Sequence, residues 1–395
     1  MTVSQAQIAH IRPGSSDRDP WLLGIVLTLL ATGLVMVYSV TVTTKSGSGQ
    51  GNTIHLWMHL AYICSGLLVM LLVSLTPIGL WEKLSKPSVV IGLLMLGIVL
   101  IPSIGVQVNG SQRWINLGGL QGQPSELAKI CLVLYVAGYL ARFRDSIQQN
   151  KRGTIVITGI LSLYALLLMI EPDFGSTVVL SGTIIAMLFL AGIRLLYVGT
   201  LVGLGVIGAV ILTLIAPYRM QRVTSFLDPW SDPFDTGFQL VQALIAFGRG
   251  EWFGVGIGAS IQKLFYLPHA NTDFLLAVIA EELGLIGIIL VVSLFTVLLW
   301  RVFAIARRAE LSGQLFAARL AQGLGLLIVL QAMTNMGVNM GVLPTKGLTL
   351  PFMSYGGSSL LASCFAVGLL LMVDRTTRPT PGANRSGPNR PGANP

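Results

Sequence analysis

Charge is what this 395-residue chain has least of: Asp, Glu, Lys and Arg together make up 10% of it, against about 25% in a soluble domain. That shortage excludes an ordinary water-soluble enzyme. Cysteines number three and histidines four. Cys64, Cys131 and Cys364 all fall in apolar runs without CxxC spacing, which argues against a disulfide frame or a zinc site and reads as small core residues. Also lacking are a Gly-rich loop of the P-loop type, an HExxH helix and a Ser-His-Asp set at convincing spacing. No internal repeat is strong enough to suggest inverted transporter halves.

Hydrophobic length takes the place of charge. Apolar residues make up 53% of the chain and mean hydropathy is +0.76, in runs of about 20 residues, the length that crosses a bilayer. The runs fall at 21–42, 56–76, 86–106, 124–141, 153–170, 174–191, 194–216, 272–300, 312–341 and 350–373. The expected fold is therefore an all-α polytopic membrane protein of about ten transmembrane helices, with a large loop between the seventh and eighth. Glu171-Pro172-Asp173 is the whole break between the fifth and sixth, because Pro flanked by acids cannot continue a helix. The first run is too long for a signal-peptide core and lacks a small-residue cleavage pattern, so it stays as the first span.

Lys and Arg set the orientation. Of 25 basic residues, 17 lie in one set of alternate loops, seven in the other, and Lys129 inside the fourth span. Both termini are expected in the cytoplasm and the large loop outside. The net charge of +9 is then mostly topological bias, and no nucleic-acid partner is implied. The expected organisation is a cytoplasmic tail at 1–20, one membrane domain at 21–373 with its large loop at 217–271, and a disordered Pro-, Gly-, Asn- and Arg-rich tail at 374–395.

The polar stretch from Tyr218 to Ala270 returns to the membrane through Asn271-Thr272-Asp273-Phe274, leaving a carboxylate at the mouth of a greasy helix. Desolvation there raises a carboxyl pKa and a nearby cation lowers it, a balance that suits a general base or a metal ligand. The other reading is an acid favoured by the helix macrodipole. Glu281 and Glu282 lie about 12 Å deeper, turned about 80° and 180° from Asp273 at 100° per residue. Glu282 cannot share its site, and buried hydrogen bonding is the expected role of both glutamates.

Other polar motifs fall on the same outer side. Glu126 and Lys129 form an i,i+3 pair just after Pro124; either they neutralise each other, or Lys129, with Arg113 one loop away, offers donors to a diphosphate. Gln331, Asn335 and Asn339 recur at i, i+4, i+8, a stripe expected to act as interhelical glue. Ser354 to Ser359 opens the tenth span with small residues suited to packing. Phe238 to Phe247 is too short to cross and reads as an interfacial helix. His10, His55 and His59 are distant in sequence from the large loop, leaving His269 beside Asp273.

Several motifs in order now identify a relationship. Asn109-Gly110-Ser111-Gln112-Arg113-Trp114-Ile115, Gln123-Pro124-Ser125-Glu126-Leu127-Ala128-Lys129, Leu227-Asp228-Pro229-Trp230, Ala246-Phe247-Gly248-Arg249-Gly250-Glu251, Thr272-Asp273-Phe274, and Leu343-Pro344-Thr345-Lys346-Gly347 with Ser354-Tyr355-Gly356-Gly357-Ser358 span nearly the whole chain. In them it resembles the SEDS family of bacterial cell-wall polymerases, its cell-division branch more closely than its elongation branch.

The resemblance implies a ten-span fold, a required aspartate at Asp273, and transfer of a glycan strand linked to undecaprenyl diphosphate onto lipid II. It also implies a class B penicillin-binding protein as transpeptidase partner, other division membrane proteins, and residence in the cytoplasmic membrane at the septum. Asp273 is then the expected base toward the acceptor 4-hydroxyl. Arg113, Lys129, Lys346, Arg219, Arg222, Glu126 and Ser358 are the expected substrate-binding residues. No cofactor is required by the motifs, though a divalent cation, Mg or Mn, could bridge Asp273 or the diphosphate. One departure is that Pro268-His269-Ala270-Asn271-Thr272-Asp273 stands where the family usually has Pro-Glu-Ala-His-Thr-Asp. The rival expectations are a lipid II flippase, an elongation-type polymerase and a non-catalytic division scaffold.

Overall fold

A computed structural model describes residues 19–43, 53–108, 111–117, 120–144, 151–215, 217–264, 267–268 and 270–378. Of the expected tails at 1–20 and 374–395, residues 1–18 and 379–395 lie outside them, as do Lys45 and His269.

The helices are α1 (Pro20–Thr43), α2 (Thr53–Leu75), α3 (Ile78–Leu84), α4 (Ser88–Val99), α5 (Pro124–Arg142), α6 (Lys151–Ile170), α7 (Phe174–Leu190), α8 (Leu195–Ile215), α9 (Pro217–Leu227), α10 (Phe238–Gly250), α11 (Leu275–Leu311), α12 (Leu315–Asn339) and α13 (Gly357–Thr377). Eight are long and apolar enough to cross a membrane, and α4 and α7 are shorter apolar helices; these ten match the ten predicted runs. α12 is central, buried almost throughout, and packs on α11, α5 and α7. α8 lies at the other extreme, with no buried residue and mean hydropathy 2.5 over its most apolar stretch. A helix that is apolar on all sides is soluble only in lipid.

Three boundaries differ from the sequence expectation. The third run is helical only over Ser88–Val99, since Pro102 and Gly105 end it; the chain then forms an antiparallel sheet, β1 (Gly105–Val108), β2 (Ser111–Leu117) and β3 (Leu120–Gly122), in the order β1-β2-β3. The tenth run is helical only from Gly357, after a non-helical approach that contains Pro351. The eighth extends to Leu311, and it is broken at Gly284, where φ is 66° and ψ −161°.

The break in α11 leaves backbone groups without helical partners, and the large loop supplies them. Val255 and Gly256 donate to the carbonyls of Glu281 and Glu282, at 2.9 and 3.1 Å, while Leu285 and Ile286 donate to those of Glu251 and Trp252, at 2.9 and 3.3 Å. Irregular backbone is tolerated at membrane depth only when protein satisfies it in this way. Glycine is required on both sides of the contact, because a Cβ on Gly254 would strike the Glu282 carbonyl and one on Gly284 would strike Trp252 and Gly254.

Side chains fasten the same junction. Glu281 accepts from Arg249 at 2.9 Å, from the Ile261 and Gln262 amides at 3.0 and 3.3 Å, and from the Ser260 hydroxyl. Glu282 accepts from Lys263 at 2.6 Å and from Ser39 of α1 at 2.7 Å. Both glutamates thus do hydrogen-bond in the interior, Glu281 to the loop and Glu282 both to the loop and to another span, α1. α10, expected to lie in the interface, turns Leu240, Val241, Ala243 and Ala246 inward against α11. At the other end of α11, Arg301 and Arg308 pair with Asp19, and Arg308 reaches Asp374 of α13 at 2.6 Å.

Lys263 and Glu282 side chains are both fully buried, and removing one partner of such a pair strands a charge at a cost of about 3–5 kcal/mol. Lys263→Met is expected to lower the melting temperature of the purified protein in detergent sharply, and Lys263→Met with Glu282→Met to regain most of the loss. A single variant that melts like the wild type refutes this anchor.

Candidate functional site

One end each of α5, α7, α11 and α12, and the 340–356 segment, converge around Asp273. Asp273 precedes Phe274, the cap residue of α11, so it stands just outside the helix. Its side chain is half-buried, and its backbone carbonyl is gripped by two amides, Asn335 at 2.8 Å and Asn339 at 2.9 Å. Asn339 in turn accepts from the Ala277 amide at 3.2 Å. Asn335 also donates to the Leu348 carbonyl, tying 346–348 to the same post. The Asp273 carboxylate consequently lies against Gly347, where a Cβ would be 3.3 Å from Oδ2. The α12 stripe, expected as interhelical glue, therefore fixes the backbone on both sides of this carboxylate.

Two cations flank that segment. Lys346 is half-buried, its ammonium 4.3 Å from the centre of the Phe174 ring, and Arg222 reaches the Thr345 carbonyl at 3.3 Å. Arg219 belongs to α9, and its side chain lies outside the described residues.

Arg113, on β2, points elsewhere. It donates to the Glu171 carbonyl at 3.0 Å and to the Pro172 carbonyl, and lies 3.8 Å from Asp173. Asp173 caps α7 through the Ser176 amide at 3.2 Å. Arg113 thus clamps the α6–α7 turn, whose next residue, Phe174, carries Lys346.

Lys129 is buried, bonded to Glu126 at 3.0 Å and Gln331 at 2.8 Å. The i,i+3 pair that the spacing of Glu126 and Lys129 suggests is therefore formed. Gln331 continues weakly to the Thr349 carbonyl, and Thr349 donates to Ser359 at 2.8 Å. Ser358, at the start of α13, accepts from the Gln123 amide at 2.8 Å. Glu126, Lys129 and Ser358 therefore lie beneath the cluster, joining α5, α12 and α13. Among the described residues no three His, Cys, Asp or Glu side chains gather to hold a metal. A divalent ion on Asp273 would complete its shell from substrate oxygens.

Sequence reasoning passed over Phe174 and Thr349, and read Glu171 only as part of the polar break between two spans. Glu171 is fully buried, and among the described residues neither carboxyl oxygen has a hydrogen-bond partner. Burial pushes its pKa up to about 8, repulsion from Asp173 adds to this, and Arg113 opposes it. The hairpin carrying Arg113 had a readable signal in Asn109-Gly110, a two-residue turn between alternating runs.

An acid that ionises near 4.5 when unfolded and near 8 when folded binds more protons in the native state between those values, so stability falls as pH rises through that window. Glu171→Gln is expected to melt above the wild type at about pH 9 and level with it at about pH 4, by thermal unfolding in detergent. A variant less stable at high pH contradicts a neutral Glu171.

A family model described as cell cycle protein, covering FtsW, RodA and SpoVE, matches residues 20–379. The chain is 52% identical to the probable peptidoglycan glycosyltransferase FtsW of Nitrosococcus halophilus, over 93% of this chain and 95% of that one. It is 48% identical to the protein of that name from Legionella pneumophila, over 91% of each. Among solved structures, it superposes on a chain of a peptidoglycan synthase complex that coordinates polymerization and crosslinking, with 30% identity, TM-score 0.71, and coverage of 92% and 99%. The rod shape determining protein RodA of Thermus thermophilus matches with 25% identity, TM-score 0.64, and coverage of 91% and 97%.

Proposed function

The chain belongs to the FtsW/RodA/SpoVE family of cell cycle proteins, and from that membership we infer that it is a peptidoglycan glycosyltransferase that polymerises lipid II. Asp273 is the general base. It takes the proton of the acceptor sugar 4-hydroxyl as that oxygen bonds to the donor anomeric carbon; the bond from that carbon to the diphosphate breaks, and undecaprenyl diphosphate leaves. Such a transition state carries positive charge on the sugar and growing negative charge on the leaving group. Lys346 and Arg222, beside the Asp273 segment, are the cations best placed to receive the diphosphate. Arg219 is assigned with them from sequence. Arg113 holds the turn that positions Phe174, while Lys129, Glu126 and Ser358 hold the floor of the site. Asp273 would be the residue to hold Mg or Mn, which would supply positive charge toward the leaving diphosphate.

The observation that carries this reading is the pair of amides fixing the Asp273 backbone, since a base works only when held within reach of the proton it removes. The reading also places the termini in the cytoplasm and the site on the outer face, where a lipid-linked sugar waits. The likeness to a synthase-complex chain supports a transpeptidase partner, taken here as a class B penicillin-binding protein acting with other division proteins at the septum.

Purified protein with that partner in liposomes is expected to convert labelled lipid II into glycan ladders. Asp273→Ala is expected to lose activity by about 10²–10⁴-fold, the usual worth of a general base. Lys346→Ala, which leaves the base in place, is expected to lose about 10²-fold. Polymerisation by Asp273→Ala at the wild-type rate removes the base assignment, and lipid II scrambling without ladders from the wild type replaces the polymerase with a flippase.

A further inference from the structure

The outer end of α2 carries His55-Leu56-Trp57-Met58-His59, and none of its ligand-type side chains is used by the polymerase site. At 100° per residue, His59 lies 40° round the helix from His55, and Met58 lies 60° from His55 on its other side, so all three share one face. Two histidines at i and i+4 are a helical metal-binding spacing. Cys64 is turned 140° from His59 and belongs to another face. The shared face meets Tyr355 of the 340–356 segment: the His55 and His59 rings lie 5.8 and 5.7 Å from the Tyr355 ring, centre to centre. The Tyr355 hydroxyl is 3.4 Å from His55 Nδ1 and 3.8 Å from Met58 Sδ.

His59 is the observation that asks for a ligand. It is 0% exposed, and among the described residues both ring nitrogens lack a hydrogen-bond partner. An imidazole buried without partners loses the hydrogen bonds that water would give it. His55 and Met58 are exposed beside it, which leaves an approach from the outer surface.

We propose that His55, Met58 and His59 form a site for a soft monovalent metal ion, copper(I), closed on one side by Tyr355. The donor set selects the ion. A thioether is a soft ligand that favours copper(I), while imidazole serves copper and zinc alike. All three donors are neutral, so they offset none of the charge that a dication would bring into apolar surroundings, and a monocation is the less costly guest. The site also touches the polymerase machinery, because the Tyr355 amide donates to the Asn271 carbonyl at 2.8 Å, two residues before Asp273. A metal drawing Tyr355 toward α2 would therefore act on the segment that carries the base.

The test uses full-length protein in detergent with its thiols removed, as Cys64→Ser, Cys131→Ala and Cys364→Ala, so that cysteine cannot supply the binding. Copper(I) is titrated without oxygen against a chromogenic chelator. A single equivalent is expected to bind. His55→Ala and Met58→Leu, both at exposed positions, are each expected to weaken binding at least about tenfold, with melting temperatures near that of the thiol-free parent. Zinc(II) is expected to bind more weakly than copper(I) and to be indifferent to Met58→Leu. Absence of copper(I) binding in the parent, binding untouched by both variants, or a preference for zinc each overturns the proposal.

Discussion

A broken helix that must be mended from outside itself governs this molecule. α11 opens at Gly284, deep in its apolar length, and four backbone hydrogen bonds to residues 251–256 close the gap. In lipid there is no water to substitute for them. The loop is therefore not an appendage of the bundle, since the helix cannot exist in this form without it. Glu281 and Glu282, flanking the break, hold Arg249, Ser260 and Lys263 in place, and so fix where the loop leaves the membrane domain and where it returns at Asp273.

From that junction the face around Asp273 is organised by a division of labour among polar groups. Those buried in the bundle, Lys129 with Glu126 and Gln331, are matched to one another and rigidify it. At the rim, Asp273, Lys346 and Arg222 keep side chains at or near the surface, where the proposed reaction needs groups that a substrate can reach. Glu171 is a third kind, buried and, among the described residues, without a hydrogen-bond partner on its carboxyl, and burial raises its pKa.

Membrane character, the number of apolar runs and the presence of a large outer loop were legible in the chain because each depends on local composition alone. The i, i+4, i+8 spacing of Gln331, Asn335 and Asn339 likewise announced a polar stripe. What that stripe holds was not legible: Asn335 and Asn339 grip a carbonyl more than 60 residues away. Pairing of Lys263 with Glu282 was equally hidden, because a lysine in a long polar loop has no local mark of burial. The three-stranded sheet was missed although Asn109-Gly110 signalled a turn, because the apolar run at 86–106 resembled a complete span.

The sequence by itself determined that this chain lives in a bilayer, which way its loops divide by charge, and that an acid stands where the large loop re-enters, since hydrophobic length and charge bias act residue by residue. Tertiary structure alone decided which polar groups neutralise each other and which come together around Asp273. Matching a buried charge or a broken helix depends on partners that approach only when the spans have packed, and separation along the chain carries no record of that approach.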